Sequence, residues 1–240
     1  MISARYLCHD HPDLFTFTAR VVARRPAAVV LDTSAFYPGG GGQLCDRGML
    51  RWGDDGAHVT HIQYEEGVVW HCLDRECAPP DSVVGEVDRE FRLLMCQLHT
   101  DLHILNAVVY QRFAGALVTG VQMAADGTAR IDFDLPESDP TTLRFVERDV
   151  NAAIGDGLDV REHYLPADAV AAEPGVLRSR SVAPPPQPDG TIRVVEIVGL
   201  DRQACGGTHL GNTRESKPIR IVKIDNKGRH NRRIRIALVE

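Results

Sequence analysis

The segment of residues 88–113 contains neither glycine nor proline. Its sequence, DREFRLLMCQLHTDLHILNAVVYQRF, is rich in residues that favour helices. Apolar side chains recur along it at the three- and four-residue spacing of one helical face, at Phe91, Leu94, Met95, Leu98, Leu102, Leu105 and Val109. The pattern predicts a long α-helix whose apolar face must be covered by other elements.

The residues before this helix have the sequence pattern of β-strands. Short apolar or alternating runs occur at AAVVLD (27–32), VTHIQY (59–64) and VVWHCL (68–73), with Gly and Asp turns between them. Short strands at this spacing predict a small barrel or sandwich. The segment APPD (78–81) then interrupts the β pattern. We therefore place a domain boundary near residue 87 and predict domains at 1–87 and 88–240.

The residues after the helix mix helices and strands. We expect a second helix from Pro140 to Ile154, capped by Asp139 and ended by Gly155. A short helix is expected at 166–172, and VAPPPQPDG (182–190) is expected to form an exposed loop. The strand candidates are ARIDFD (129–134), LDVREHY (158–164), IRVVEIV (192–198), IRIVKID (219–225) and RRIRIAL (232–238). Long helices with hairpin-like strands predict an α+β domain on a mostly antiparallel sheet.

Composition limits which cellular compartment and which kinds of partner are expected for this protein. No apolar run approaches the roughly 20 residues needed to span a bilayer, and the N-terminus lacks the apolar core of a signal peptide. Six cysteines are too few for a disulfide scaffold in 240 residues. We therefore expect a cytoplasmic protein with no membrane partner, whose cysteines are core residues, metal ligands or reactive thiols.

Charge is unevenly distributed along the chain. The net charge is −6, yet residues 211–240 hold nine basic and three acidic side chains, so this stretch carries +6 and the remainder −12. A basic end on an acidic body indicates a phosphate-binding face. The alternative is a solvated strand with charged outer positions, and composition favours neither interpretation.

Two pairs of potential metal ligands occur at a spacing of four residues. His99 and His103 lie on the predicted helix, where this spacing places both imidazoles on one face. Ten histidines in 240 residues predict about 0.4 such pairs by chance, so this pair alone is weak evidence. Cys205 and His209 flank two glycines in QACGGTHLGNT (203–213), and a turn can bring a thiolate and an imidazole onto one ion. Three imidazoles and one thiolate suit Zn²⁺, whereas the alternative is a set of buried or capping side chains without a metal.

A run of four glycines lies in LDTSAFYPGGGGQLCDRG (31–48). Such a run has a large entropic cost, so we interpret it as a place where the backbone approaches a ligand or forms a nest for an anion. The segment lacks the Lys-Ser/Thr of a nucleotide P-loop. The alternative, a flexible surface hairpin, is less attractive because Phe36, Tyr37 and Gln43 flank the run.

A second metal cluster at His71, Cys72 and Cys77 has less support. The segment HCLDREC has no matching partner pair elsewhere in the chain. We therefore interpret these residues as ordinary strand-end side chains.

Three segments together carry a family resemblance. FYPGGGGQLCDRG, LHTDLHILNAVV and CGGTHLGNT, in this order, resemble the editing domain of alanyl-tRNA synthetase. They are more similar to its freestanding relatives, the AlaX trans-editing proteins. The ending IVKIDNKGRHNRRIRIAL is also similar to theirs, so the resemblance covers essentially the whole chain.

The resemblance implies a fold of the α+β class. A small N-terminal β-barrel with the glycine motif is followed by an α/β editing domain with a mostly antiparallel sheet and a long helix that supplies zinc ligands. It implies a zinc-dependent hydrolase that acts in trans on mischarged tRNA(Ala), chiefly Ser-tRNA(Ala), with Gly-tRNA(Ala) as a second candidate substrate. It also implies one Zn²⁺ per chain, and the ligands correspond to His99, His103, Cys205 and His209.

Two positions depart from the family's usual pattern. Ser34 stands where the family usually has Thr, which keeps the hydroxyl and loses a methyl group. Discrimination of serine is therefore expected to be looser here. Asp101 replaces Ala in the family's His-Thr-Ala-x-His pattern, and the sequence does not say which way its side chain points.

Roles can be assigned to the remaining site residues as hypotheses. We expect Ser34 and Gln43 to hydrogen-bond the substrate, with Ser34 reading the serine side chain. We expect the backbone of Gly40, Gly41 and Gly42 to approach the substrate, and backbone N–H groups of Gly206, Gly207 and Thr208 to stabilise the oxyanion. With four protein ligands, zinc is expected to organise the pocket rather than activate water. The expected contacts to tRNA phosphates are Lys227, Arg229, Arg232 and Arg233, on a protein expected to be a monomer.

Three rival functions stay open at this point. A different metallohydrolase is one, although the HExxH glutamate of a metalloprotease is lacking. The second is a non-catalytic RNA-binding module with a structural zinc. The third is editing of another aminoacyl-tRNA, since a related site occurs in the editing domain of threonyl-tRNA synthetase, although the glycine motif is not expected there.

Overall fold

The computed structural model describes residues 7–113, 115–135, 140–178, 184, 186, 187, 189–228 and 230–239, with only the backbone described for 140–144. By compactness the chain divides into two units. One comprises residues up to Gly40 together with Leu44–Leu93, and the other comprises Gly41–Gln43 and the residues from Leu94 onward. The proposed domains 1–87 and 88–240 remain a prediction.

Strands of the first unit close into an antiparallel six-stranded barrel in the order β1-β2-β5-β4-β3-β6. The elements are α1 (Leu7–Asp10), β1 (Thr16–Arg25), β2 (Ala28–Leu31), β3 (Gly48–Trp52), β4 (Asp55–Glu65), β5 (Val68–Leu73) and β6 (Ser82–Val87). Alternate residues of β1, Phe17, Ala19 and Val21, face the barrel core. This alternation is the period-two pattern of a strand with one buried face. The expected small barrel is confirmed.

A buried ion pair holds the loop that carries the glycine motif. Asp46 accepts hydrogen bonds from Arg92 Nε at 2.9 Å and from the backbone N–H of Tyr37 at 2.6 Å. Arg92 Nη2 also donates to the carbonyl of Ala35 at 2.7 Å. Because Arg92 and Asp46 are 1% and 0% exposed, each charge depends on the other for its stabilisation. The two ends of the loop are thereby tied to the start of the long helix.

The second unit contains two antiparallel sheets, with orders β12-β13-β8-β7 and β11-β10-β9. Its strands are β7 (Val118–Met123), β8 (Thr128–Asp134), β9 (Val160–Pro166), β10 (Thr191–Ile197), β11 (Asp201–Ala204), β12 (Ile219–Asn226) and β13 (Asn231–Leu238). Its helices are α3 (Pro140–Asp156), α4 (Ala167–Ala172) and a 3₁₀ turn (Thr213–Glu215). The antiparallel α+β class predicted from the sequence is confirmed.

The long predicted helix is α2 (Arg89–Arg112). Asp88 caps it, because its side chain accepts a hydrogen bond from the backbone N–H of Phe91 at 3.0 Å. The apolar face is buried, and in the middle of the helix the polar Thr100 and Asp101 are buried as well. A helix that is buried on more than one side lies in a core rather than on a surface. Neighbouring residues can therefore contact His99 and His103 from several directions.

Two further predicted helices and one predicted loop can be compared with the structure. Helices α3 and α4 occur close to the expected positions 140–154 and 166–172. The expectation that Gly155 ends α3 is wrong, because the helix continues through Gly155 to Asp156. Asp139, the expected cap of α3, lies outside the described residues, as do residues 182, 183, 185 and 188 of the expected loop 182–190. Among the helices that the structure describes, none has the length and apolar content needed to cross a membrane.

Candidate metal centre

Four side chains of the second unit converge on one point. His99 and His103 project from one face of α2, and Cys205 and His209 come from the loop after β11. The potential ligand atoms of all four lie within 4.8 Å of one another. Cys205 Sγ lies 3.4 Å from His99 Nε2 and 3.3 Å from His209 Nε2. Both pairs of ligands expected from their four-residue spacing are thus brought together.

The distances and burial of this cluster suit a tetrahedral metal ion. Zinc bonds of about 2.1 Å to nitrogen and 2.3 Å to sulfur place neighbouring ligand atoms about 3.6 Å apart. The two measured separations between sulfur and nitrogen are close to that value. All four residues are buried. The cluster is the one group of this kind found in the part of the chain that the structure describes, so His71, Cys72 and Cys77 do not form a second.

Burial favours the neutral form of the histidines. It lowers the pKa of His103 to about 3, with Arg193 and Arg178 adding to the effect. Burial, the neighbouring His103 and Arg193 also hold the pKa of His99 well below its usual value. Neutral imidazoles keep a nitrogen lone pair available for a metal. Burial raises the pKa of Cys205, and the nearby Arg193 opposes that rise by favouring the thiolate.

Gln43 is held against the metal cluster. Its Oε1 lies 2.8 Å from Nδ1 of His99 and accepts a hydrogen bond from the backbone N–H of Thr208 at 3.0 Å. Its Nε2 donates to Thr208 Oγ1 at 2.8 Å. With Nδ1 of His99 donating to Gln43, Nε2 is left to face Cys205. Both ends of the Gln43 amide therefore contact protein groups, and its expected contact with substrate remains a prediction.

A close backbone contact between the glycine motif and another part of the second unit holds Gln43 in place. The carbonyl of Gly42 accepts a hydrogen bond from the N–H of Met123 on β7 at 2.8 Å. Gly42 has a positive φ of 86°, and a Cβ there would lie 2.5 Å from the carbonyl oxygen of Val121. Only glycine fits this position. At Gly41 no described atom lies within 4 Å of the place where a Cβ would stand.

A second close contact occurs at the turn between Cys205 and His209. A Cβ on Gly207 would lie 2.0 Å from Cε1 of His99, whereas the one described neighbour of a Cβ on Gly206 is Pro184 at 3.8 Å. The N–H of Gly207 donates to Cys205 Sγ at 3.4 Å, and the N–H of Thr208 donates to Gln43. These two expected oxyanion donors already have acceptors within the protein. Their role toward an oxyanion remains a prediction.

Arg193 on β10 supports the same turn and was not expected from the sequence. Its Nη1 donates to the carbonyl oxygens of Cys205 at 2.9 Å and Gly207 at 2.8 Å. The guanidinium is 1% exposed and forms an ion pair with Glu162 of the neighbouring strand β9. The one available signal was a lone arginine inside the apolar run IRVVEIV. Such a residue is buried only when it is paired.

The two residues that follow His99 on α2, Thr100 and Asp101, are buried beside the metal ligands. Thr100 Oγ1 lies 3.3 Å from Nδ1 of His209 and accepts a hydrogen bond from the N–H of Leu210 at 3.1 Å. Asp101 is 0% exposed, and its Oδ2 accepts a hydrogen bond from Ser216 at 2.9 Å. Burial raises the pKa of Asp101 to about 8, and the hydrogen bond from Ser216 opposes that rise. The orientation of Asp101, which the sequence left open, is therefore inward and toward Ser216.

Ser34 belongs to the first unit. Its Oγ lies 2.8 Å from Nε2 of His71 on β5 and accepts a hydrogen bond from the backbone N–H of Phe36 at 3.2 Å. His71 is 1% exposed, and its burial lowers its pKa to about 4. Ser34 itself is half-buried. Its expected role in reading the substrate remains a prediction.

The basic C-terminal segment contains both paired and exposed cations. Arg233 on β13 forms two 2.7 Å hydrogen bonds with Asp132 on β8. Arg232 Nη1 donates to the carbonyl of Gly228 at 3.2 Å. Lys227 is exposed, and Arg229 lies outside the described residues. The expected phosphate contacts therefore differ in how accessible their charges are.

Two protein families match parts of the chain. The family described as "Threonyl and Alanyl tRNA synthetase second additional domain" matches residues 192–235, a range that includes Cys205 and His209. The family described as "tRNA synthetases class II (A)" matches residues 10–91, a range that includes the barrel strands.

Individual relatives align with nearly the whole chain. The "Alanyl-tRNA editing protein AlaX-M" of Saccharolobus solfataricus is 34% identical over 222 residues, which cover 91% of this chain and 92% of that protein. Its namesake from Methanosarcina barkeri is 34% identical over 220 residues, covering 88% and 89%. The "Alanine--tRNA ligase" of Methanopyrus kandleri is 36% identical over 241 residues, which cover 97% of this chain and 26% of the ligase. The chain therefore belongs to the AlaX family of alanyl-tRNA editing proteins.

Proposed function

We propose that this protein hydrolyses the ester between serine and tRNA(Ala) and so removes serine attached in place of alanine. One observation carries the proposal: His99, His103, Cys205 and His209 converge within 4.8 Å. They do so in a chain that AlaX-M relatives match over 91% and 88% of its length. Gly-tRNA(Ala) is proposed as a second substrate. The protein is proposed to act in trans, in the cytoplasm and as a monomer.

The proposed cofactor is one zinc ion per chain. Three imidazoles and one thiolate are a donor set typical of zinc, and the cluster is buried. A zinc ion held there supplies a fixed positive charge and a rigid centre that orders the surrounding pocket. Because all four donors are protein atoms, this role in ordering is proposed in preference to generation of the nucleophile.

The proposed reaction is the attack of water on the ester carbonyl carbon. The bond from this carbon to the ribose oxygen breaks, the ribose hydroxyl leaves with a proton, and serine is released as the free acid. Negative charge develops on the carbonyl oxygen, and N–H donors directed at it would lower the barrier. The backbone N–H groups of Gly206, Gly207 and Thr208 are the proposed donors. For Gly207 and Thr208 this requires exchange with their present acceptors, Cys205 Sγ and Gln43 Oε1.

Specificity for serine is proposed to come from Ser34. A site built around a polar group rejects an analogue that lacks the partner group, because its own polar atoms would be left unpaired. Alanine has a methyl group where serine has a hydroxyl, so it cannot form this hydrogen bond. Gln43 is proposed to act on the same substrate, both by contact and by holding His99 and the Thr208 turn.

Binding of tRNA is proposed to use the glycine motif and the basic C-terminal segment. Lys227 is exposed and available to phosphates. Arg229 and Arg232 are proposed to assist it. Arg233 is only 17% exposed and paired with Asp132, so its proposed contribution is weaker. The open surface beside Gly41, between Gly40 and Gly42, is proposed to let the substrate approach the backbone closely.

The test compares deacylation of Ser-tRNA(Ala) and Ala-tRNA(Ala) by the wild type, Cys205→Ala and Ser34→Ala. Cys77→Ala is the matched control, because this half-buried cysteine lies outside the metal cluster. We expect rapid loss of serine, slow loss of alanine, loss of activity in Cys205→Ala and a wild-type rate in Cys77→Ala. Ser34→Ala should lower the preference for serine over alanine.

Other outcomes of this test would indicate a different function. A folded, zinc-loaded wild type that binds tRNA(Ala) and turns over neither substrate would contradict the proposal and favour an RNA-binding module. Turnover restricted to another aminoacyl-tRNA would identify a different editing substrate. An unchanged preference in Ser34→Ala would remove Ser34 from the specificity site while leaving the activity in place.

A further inference from the structure

His71 is a fully buried histidine with a side-chain partner in the first unit. It lies on β5, where its backbone pairs with Val29 on one side and Ile62 on the other. The ring of Phe36 packs against the imidazole edge-on, with centroids 5.6 Å apart and an interplanar angle of 63°. The side chain is 1% exposed, so it cannot itself meet a large substrate in solution. Its Nε2 reaches Ser34 Oγ at 2.8 Å.

The hydroxyl of Ser34 is consequently fixed by two contacts. The imidazole of His71 forms one, and the backbone N–H of Phe36 donates the other at 3.2 Å. A serine hydroxyl can donate once and accept twice, so one hydrogen bond remains for a ligand. Ser34 is half-buried, which leaves part of this residue accessible. A seryl hydroxyl can both donate and accept, so it fits the remaining capacity with either tautomer of His71.

A nucleophilic Ser-His pair is the other chemistry that this contact suggests. A general base works best when its pKa lies near the working pH. Burial lowers the pKa of His71 to about 4, which makes it a weak base at neutral pH. A catalytic histidine is also oriented by a third group, commonly a carboxylate. Within the described part of the chain, Nδ1 of His71 has no carboxylate partner. The pair therefore suits recognition better than nucleophilic attack.

We propose that His71 is a positioning residue that fixes the Ser34 hydroxyl in the orientation needed to recognise the hydroxyl of serine on the tRNA. This inference rests on the proposed function, because Ser34 must read the amino acid. His71 then acts on specificity through Ser34 alone. Without His71, the contact with the N–H of Phe36 would remain, but the O–H bond of Ser34 could rotate among its staggered positions, of which one serves the substrate.

The experiment measures kcat/KM for Ser-tRNA(Ala) and Ala-tRNA(Ala) with His71→Leu, His71→Gln and Ser34→Ala, and with the double variant. His58→Leu is the matched control, because His58 is an exposed histidine on the neighbouring strand β4. We expect His71→Leu to lower the ratio of the two constants about tenfold, equivalent to ~1.4 kcal/mol. The loss should fall on the serine substrate. His71→Gln, which retains a hydrogen-bonding group, should restore most of the ratio, and His58→Leu should leave it unchanged.

Non-additivity separates positioning from a general effect on folding. In the Ser34→Ala background, His71→Leu should cause no further change in the ratio, because the hydroxyl it positions is already absent. A further decrease of similar size would overturn the inference, as would an unchanged ratio in folded His71→Leu. A second readout needs no His71 variant: Ser34→Ala should shift the ¹⁵N resonance of His71 Nε2. An unchanged resonance would also overturn the inference.

Failure of the function itself gives a different pattern. If the wild type deacylates neither substrate, both the proposed function and this inference are wrong. If the wild type prefers serine and Ser34→Ala abolishes the preference while both His71 variants retain it, only the inference is wrong.

Discussion

Substitution of Gly207 by alanine tests how closely the metal turn packs against its ligands. A Cβ at this position would lie 2.0 Å from Cε1 and 2.3 Å from Nδ1 of His99. Carbon atoms approach favourably to about 3.5 Å, so the ring or the turn would have to move by about 1.5 Å. His99 also lies within hydrogen-bond distance of Gln43, which restricts its movement. Gly206→Ala is the matched control, because among the described atoms its Cβ would meet only Pro184 Cβ at 3.8 Å.

The expected magnitude follows from the tolerance of a metal site. Ligand distances are maintained within about 0.2 Å, so a displacement of about 1.5 Å removes His99 from the ligand set. Zinc binding worth roughly 10–16 kcal/mol over four ligands corresponds to about 3 kcal/mol for one. At ~1.4 kcal/mol per tenfold change, Gly207→Ala should bind zinc about 100-fold more weakly. Gly206→Ala should stay close to the wild type.

Zinc affinity is measured by competition with a chromogenic chelator, alongside deacylation of Ser-tRNA(Ala) and thermal unfolding of the apo proteins. We expect Gly207→Ala to lose zinc affinity and activity together. Equal affinities of Gly207→Ala and wild type would refute the argument from packing. Equal losses in Gly206→Ala and Gly207→Ala would show that the turn is sensitive to any side chain, and that His99 is not the cause.

Three further predictions concern the rest of the molecule. Gly42→Ala should lower the thermal unfolding midpoint and the zinc affinity, because its Cβ would lie 2.5 Å from the carbonyl oxygen of Val121. Gly41→Ala shares the backbone strain of a positive φ, 58° against 86°, but its Cβ would meet no described atom within 4 Å, so it should cost less, and equal effects would contradict the reasoning. The pKa of His71 is lowered by burial from 6.5 to about 4, so its contribution to stability is intact above pH 6.5 and is lost as the pH falls to 4, by about 3 kcal/mol. Urea unfolding of the zinc-loaded protein across that range checks this, and a His71→Gln variant with the same pH dependence would argue against it. The affinity for tRNA(Ala) should fall steeply as the salt concentration rises. Lys227→Ala should reduce the slope of log Kd against log salt by about 1. A salt-independent Kd would remove the phosphate-binding role.

Local pattern was enough to predict α2 and the spacing of its ligands. The absence of Gly and Pro from residues 88–113 and the recurrence of apolar residues determine a helix without reference to the rest of the chain. Within a helix, residues four apart share a face, so His99 and His103 had to lie side by side. The strands at 59–64 and 68–73 were predicted for the same reason, because alternation over a few residues is a local property.

Contacts between distant residues required the tertiary structure. Gln43 lies 56 residues from His99 and 165 from Thr208 in sequence, so no local pattern indicates that its amide joins them. The motif suggested a residue that contacts substrate, and the structure shows both ends of its amide bound to protein groups. Arg193 is similar, because its contacts with Cys205 and Gly207 depend on the pairing of β10 with β11.

By itself, the sequence determined which residue types were available, which of them lay on helices and strands, and which family the ordered motifs resembled. Only the tertiary structure decided how buried polar groups are paired. Strand register places Arg233 opposite Asp132, and the pairing of β2 with β5 brings Ser34, in the loop after β2, within 2.8 Å of His71. A buried charge or hydroxyl must find a partner, but its identity depends on long-range packing, since many partners are possible along the chain and one is adjacent after folding.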